Sequence, residues 1–382
     1  MATRPHLPHG AQAIQQAANI VVLLAVGLTS FGLVMVYSTS SAQRAALGED
    51  MAYGLVRQAL WVLLGIGVAW IIARTPLATL RRSAGPLLVV VLVLLALTLG
   101  FAPAIKGARR WLRFGTLSVQ PSELAKIAVL LFLADRLAKR EPDSSFGMRL
   151  PLLPVLLPVS LALVLVFLAP DLGMTLFLVA EIVVLLGLAG VRPGRVLPYV
   201  LVSLPAILLY AFTHFAHVKR RLAAFTGEPS GQVREALVAI GAGGFLGVGL
   251  GRGMQKLHYV AEAHTDFIFS IIGEELGFLG CAAIVCAFMG LVVHGRRIAW
   301  AARAWSPQDP FPFYVAAGAT FLITFQALVN LAVVTGSAPT KGVSMPFISV
   351  GGSNLLVMAT CVGLLVNVAR ASATLALDAP RR

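Results

Sequence analysis

The sequence predicts an all-α polytopic membrane protein with about ten transmembrane helices and a large extracytoplasmic loop between the seventh and the eighth. Three observations carry that prediction. Apolar residues make up 58% of the 382-residue chain. Charged residues make up 12%, against about 25% in a soluble domain. The apolar runs are continuous and many reach the roughly 20 residues that cross a bilayer. Mean hydropathy is +0.87. In lipid only helices and closed barrels satisfy the backbone, and the runs lack the alternation of a barrel strand.

The spans read in order as follows. Residues 1–16 form a polar leader without a small-residue cleavage site, so 17–37 is a retained first span and not a signal peptide. Spans two and three, 55–73 and 83–102, flank a short loop bearing Arg74, Arg81 and Arg82. The fourth, 124–137, is short; Pro121-Ser122-Glu123 starts it, with Ser122 as cap or first-turn residue. The fifth, 150–168, opens on Pro151, Pro154 and Pro158, and the sixth, 172–190, carries Glu181. The seventh, 196–213, is interrupted by Pro198 and Pro205, which kink helices that a bundle can tolerate. The loop 214–266 follows, then spans 267–294, 312–335 and 346–368 and a tail, 370–382. The unit 17–369 is one membrane domain.

Charge sets the orientation. Every short loop on the N-terminal side holds at least two basic residues, so both tails are expected in the cytoplasm. The formal net charge of +14 is therefore assigned to topology and to anionic head groups. Nucleic acid is excluded, since no stacking-aromatic or zinc pattern accompanies the basic residues. Cys281, Cys286 and Cys361 fall inside apolar runs and match no metal spacing, so they read as packed residues. One outer cluster breaks the charge rule: Lys106, Arg109, Arg110 and Arg113 suit anion binding at the outer face.

Several polar residues stand where lipid disfavours them. Glu123 and Lys126 are three apart and share a helix face, so they pair; Lys126 either fixes packing or meets phosphate from an outer cavity. Asp171, in Pro170-Asp171-Leu172-Gly173, caps the sixth helix, which does not preclude a role in a site. Glu181 is expected to be paired in the bundle or protonated. Residues 241–256, GAGGFLGVGLGRGMQK, fit no G-x-G-x-x-G register; their glycines suit close packing or a re-entrant backbone. Asp266 sits at the outer mouth of the eighth span. It is either a helix cap or a general base whose pKa partial desolvation tunes. Glu274 and Glu275 lie about 12 Å further along the helix axis and read as structural or supporting. The stretch 338–353, with its prolines, glycines and hydroxyls at membrane depth, predicts non-helical backbone lining a cavity.

Taken together, these segments resemble the shape, elongation, division and sporulation family. The resemblance is carried by Gly107-Ala108-Arg109-Arg110-Trp111, Gln120-Pro121-Ser122-Glu123-Leu124-Ala125-Lys126, Pro170-Asp171-Leu172-Gly173 and the glycine-rich run. Ala263-His264-Thr265-Asp266-Phe267, Glu274-Glu275-Leu276-Gly277 and Pro346-Phe347-Ile348-Ser349-Val350-Gly351-Gly352-Ser353 complete it. It extends over nearly the whole chain. Pro339-Thr340-Lys341-Gly342 looks like the division branch more than the elongation branch. The chain departs from the family pattern at Ala261, Ser344 and Val350.

The resemblance implies a peptidoglycan glycosyltransferase of the cell inner membrane that polymerises lipid II and releases undecaprenyl pyrophosphate. It implies a class B penicillin-binding protein as transpeptidase partner, alongside other divisome proteins. It makes Asp266 the catalytic residue, with His264 and Thr265 beside it. Arg110 and Lys126, then Lys256 and Arg109, would face the pyrophosphate. Gln120, Ser122, Glu123, Asp171, Lys341, Ser349, Gly351, Gly352 and Ser353 complete the expected substrate site. A divalent cation, Mg or Mn, at the pyrophosphate stays open, because the sequence shows no ligand cluster for it. Two competing functions use the same features: a lipid II flippase, which needs no base at position 266, and a non-catalytic division scaffold.

Overall fold

The computed structural model describes residues 9–46, 52–103, 109–114, 117–139, 152–191, 194, 213, 231–255 and 265–378. Ten α-helices and one two-stranded hairpin occur among them. They are α1 (His9–Ala46), α2 (Tyr53–Arg74), α3 (Leu77–Phe101), β1 (Leu112–Phe114), β2 (Leu117–Val119), α4 (Pro121–Ala138), α5 (Leu152–Leu168) and α6 (Leu172–Leu188). After them come α7 (Gly231–Gly243), α8 (Ile268–Trp305), α9 (Phe311–Val334) and α10 (Gly352–Asp378). Nine of the expected spans match α1–α6 and α8–α10; the seventh, 196–213, lies outside the described residues apart from Thr213.

Six of these helices, α1, α2, α3, α8, α9 and α10, are long and apolar enough to cross a membrane. The chain is a multi-pass membrane protein. Leu60, Leu63, Ile66 and Trp70 of α2 are exposed, as are Val89 and Val93 of α3, where a water-facing helix would carry charge. Such faces suit lipid.

The centre of the bundle is α4. It packs against α3, α6, α9 and α10, and almost every residue along it is buried. This explains why its apolar run looked short: a helix walled in by protein can carry Glu123, Lys126 and Asp135, provided each finds a partner. At the far end Asp135 accepts from Arg81 Nε at 2.8 Å and Lys139 Nζ at 2.6 Å, while Arg81 also reaches Asp309 at 3.1 Å. That network ties α3, α4 and the α8–α9 connection at the end away from the site.

The eighth span differs from its expected form. It starts at Ile268 and runs to Trp305, but Gly277 breaks it with φ 64 and ψ −160. A side chain there would be strained, and its Cβ would also lie 2.4 Å from the Gly247 nitrogen. The glycine-rich run packs into this break. Val248 N–H donates to Glu274 O, Phe278 N–H to Gly244 O and Leu279 N–H to Phe245 O, at 3.0, 2.9 and 3.3 Å. The two acidic side chains are buried beneath the same run. Glu274 accepts from the Met254 and Gln255 N–H groups at 2.7 and 3.1 Å. Glu275 accepts from Gly251 N–H and Ser38 Oγ, both at 3.0 Å. Both glutamates are structural, and the glycines serve close packing.

Candidate functional site

Alternating helix direction brings the C-terminal end of α3, the hairpin, the N-terminus of α4, the α5–α6 turn, the segment before α8 and the α9–α10 connection to one end of the bundle. All of these except the end of α3, joined by Gln232 of α7, line a cavity of about 480 Å³.

Its walls are built from local structure. The hairpin pairs Leu112 with Val119 and Phe114 with Leu117, and Arg110 and Gln120, flanking its two ends, both line the cavity. Arg110 Nε donates to the Ala169 carbonyl at 3.2 Å, and its Nη2 bonds the Pro170 carbonyl. The Gln120 side chain donates to Ser122 Oγ at 3.0 Å and Asp171 Oδ2 at 3.1 Å. Asp171 Oδ1 accepts from Met174 N–H at 3.2 Å. Asp171 therefore caps α6, as expected, and also lines the cavity.

Asp266 lines the same cavity, one residue ahead of the residue that precedes α8. It does not cap α8: the cap position is Phe267, with no side-chain cap bond. Its backbone is held firmly. Asn330 Nδ2 donates to the Asp266 carbonyl at 2.8 Å and to the Val343 carbonyl at 2.6 Å. Ser349 Oγ donates to the Thr265 carbonyl at 2.5 Å and accepts from Met345 N–H at 2.8 Å. Gly342 leaves room for the carboxylate, since a Cβ there would come within 2.8 Å of Asp266 Oδ2. Lys341 also lines the cavity and bonds the Gly173 carbonyl. The α9–α10 connection is non-helical from Gly336 to Gly351, as the prolines and glycines predicted.

Some expected residues fall elsewhere. Arg109 turns away from the cavity and donates to the Leu99 and Gly100 carbonyls at 3.1 and 3.3 Å, closing the end of α3. Lys126 is wholly buried behind the wall. Its Nζ lies 2.6 Å from Glu123 Oε2, 2.7 Å from Gln326 Oε1 and 5.0 Å from the Phe177 ring centroid. The pairing reading holds, and it is the partners Glu123 and Gln326 that face the cavity. Ser122, Ser349, Gly352 and Ser353 stand behind the wall: Ser353 Oγ accepts from Gln120 N–H at 3.0 Å, and Gly352 packs on Trp61. Gly351 and Thr265 line the cavity itself. Lys256 and His264 lie outside the described residues.

Two contributors escaped the sequence reading. Gln326 and Asn330 are buried one turn apart on α9. Gln326 Nε2 donates to the Ser344 carbonyl at 2.8 Å and to Asn354 Oδ1 at 2.7 Å. Their signal was two amides four residues apart in an apolar span, where polar side chains bind other helices or line cavities.

Chemically, among the described residues the cavity sets three carboxyl groups (Glu123, Asp171, Asp266) against two cations (Arg110, Lys341). Glu123 and Asp171 are engaged by Lys126 and Gln120. No three acidic, histidine or cysteine side chains converge as a metal site among the described residues.

A model of the FtsW, RodA and SpoVE family, described as cell cycle proteins, matches residues 18–374. A probable peptidoglycan glycosyltransferase FtsW of Trichlorobacter lovleyi is 42% identical, covering 91% of this chain and 92% of that relative. A relative of the same description in Geobacter sulfurreducens is 40% identical, over 93% and 95%. Among solved structures, a chain of a peptidoglycan synthase complex that coordinates polymerization and crosslinking superposes with a TM-score of 0.71 at 27% identity. It covers 92% of this chain and 97% of its own length. The rod shape determining protein RodA of Thermus thermophilus superposes with a TM-score of 0.66 at 28% identity, over 92% and 95%.

Proposed function

This chain belongs to the FtsW, RodA and SpoVE family of cell cycle proteins, and from that premise we propose that it is a peptidoglycan glycosyltransferase polymerising lipid II at the outer face of the inner membrane. The observation that carries the proposal is the shared cavity, where Asp266 meets Arg110 and Lys341.

The reaction needs a base and an anion site. Asp266 takes the proton of the acceptor sugar 4-hydroxyl as that oxygen attacks the anomeric carbon of the donor. The bond to undecaprenyl pyrophosphate breaks, and its electrons go to the departing phosphate oxygen. Arg110 and Lys341 stabilise the charge that develops there. Lys126, fully buried, and Arg109, outside the cavity, are replaced in that role. Asn330 and Ser349 hold the backbone carrying Asp266, so the base keeps its place as the hydroxyl approaches. Direct displacement inverts the anomeric centre; trapping a covalent sugar–enzyme intermediate would overturn this mechanism. A divalent ion at the pyrophosphate would draw mainly on substrate phosphate oxygens, as Mg²⁺ commonly does.

Loop charge supports cytoplasmic N- and C-termini, which puts the cavity on the outer side, where lipid II presents its sugars. The synthase complex among the structural relatives supports a class B penicillin-binding protein as transpeptidase partner. The FtsW descriptions of the sequence relatives support work at the division septum with other divisome proteins.

The test is polymerisation of labelled lipid II by the purified protein with its partner, wild type against Asp266→Asn. Long glycan strands from wild type and none from the folded variant are expected. Equal polymerisation by both would move the base elsewhere, and transport of lipid II without polymerisation would favour a flippase.

A further inference from the structure

Glu181 of α6 is a carboxyl group that the reaction above does not use. It is wholly buried, and neither oxygen has a hydrogen-bond partner among the described residues. It lies one turn beyond Phe177, so the two share a face of α6. The Phe177 ring on that face is the one that Lys126 Nζ approaches, at 5.0 Å. Lys126 forms an ion pair with Glu123, donates a hydrogen bond to Gln326 Oε1 and interacts electrostatically with Glu181. The other ionisable groups of this pocket are Glu123, from α4, and Cys361, buried on α10. The α5 sequence contributes none.

A second buried carboxyl group thus stands near the Glu123–Lys126 ion pair, outside ion-pair contact with the ammonium. A second unpaired anion in this interior would be costly, whereas one carboxylate, one neutral acid and one ammonium balance. We propose that Glu123 and Glu181 share a single negative charge and a single proton around Lys126, which makes Glu181 the reserve counter-ion of the cavity wall. With Glu123 2.6 Å from Lys126, the proposal makes Glu123 the carboxylate in this arrangement and Glu181 the acid. The alternative arrangement moves the proton from Glu181 to Glu123, and Glu181 becomes the partner of Lys126. Net charge is unchanged. Glu123 is the member that reaches the cavity, so the exchange frees it to face a bound substrate without stranding the lysine. Only that last step rests on the proposed function. Glu181 is a positioning residue, since it acts through Lys126 and Glu123.

Infrared difference spectra of full-length protein in detergent, without substrate, test this directly. Wild type minus E181Q should show the carbonyl stretch of a protonated carboxylic acid. The same subtraction in an E123Q background should lose that band and gain a carboxylate stretch. An acid band that persists without Glu123, or one missing from wild type, overturns the proposal. Should E123Q not fold, E123D withdraws the carboxylate from its 2.6 Å contact; a weaker acid band is then expected, and an unchanged one overturns the idea. These bands do not depend on polymerisation, so a protein that makes no glycan would refute the proposed function and leave this inference standing.

Discussion

Replacing Asn330 with alanine removes the two hydrogen bonds that hold the Asp266 and Val343 carbonyls, at 2.8 and 2.6 Å. Each such bond contributes about 1 kcal/mol net. The Oδ1 atom of Asn330 is buried without a partner among the described residues, so the donor side of the amide is what the site uses. The variant should therefore lose about 2 kcal/mol of local order around Asp266. If that order is needed mainly in the transition state, kcat should fall about 30-fold, since about 1.4 kcal/mol is a factor of ten. KM for lipid II should change little, because Arg110 and Lys341 are untouched. The assay is a lipid II polymerisation time course with the partner transpeptidase, alongside a melting curve in detergent. The reasoning fails if kcat is unchanged in a folded protein, or if the whole effect appears as lower melting temperature with normal turnover per folded molecule.

Other substitutions probe separate parts of the site. Lys341→Ala should lower kcat about 100-fold or more through lost leaving-group stabilisation, measured by the same time course; wild-type turnover would remove it from the mechanism. Gly342→Ala would put a Cβ within 2.8 Å of Asp266 Oδ2, so activity should drop while the melting temperature holds; full activity would show that the loop yields. Gly277→Ala forces a Cβ into the Gly247 backbone at a left-handed position. The expected result is a lower melting temperature, and an unchanged one would mean the break is not needed.

The membrane class and nine of the helices were legible in the sequence, six of them long and apolar enough to span, because lipid leaves the backbone so few options. Asp171 and Asp266 were legible for the related reason that charge at a span's mouth must be explained, while Lys341 came only with the family resemblance. The pairing of Glu123 with Lys126 followed from their spacing on a helix. Depth did not follow. A lysine three residues into a span can reach outward or lie sealed in the bundle, and only the walls around α4 decide that Lys126 is sealed. Spacing could not tell Arg109 from Arg110 either: adjacent side chains diverge, and the carbonyls ending α3 and α5 took one each. Gln326 and Asn330 became visible only with the fold, since an amide in an apolar span shows its purpose when its partner carbonyls arrive from elsewhere. Those partners lie 64 residues away at Asp266 and 18 residues away at Ser344. Sequence thus determined which residues lipid would not tolerate alone; tertiary packing decided which of them face substrate and which hold the others in place.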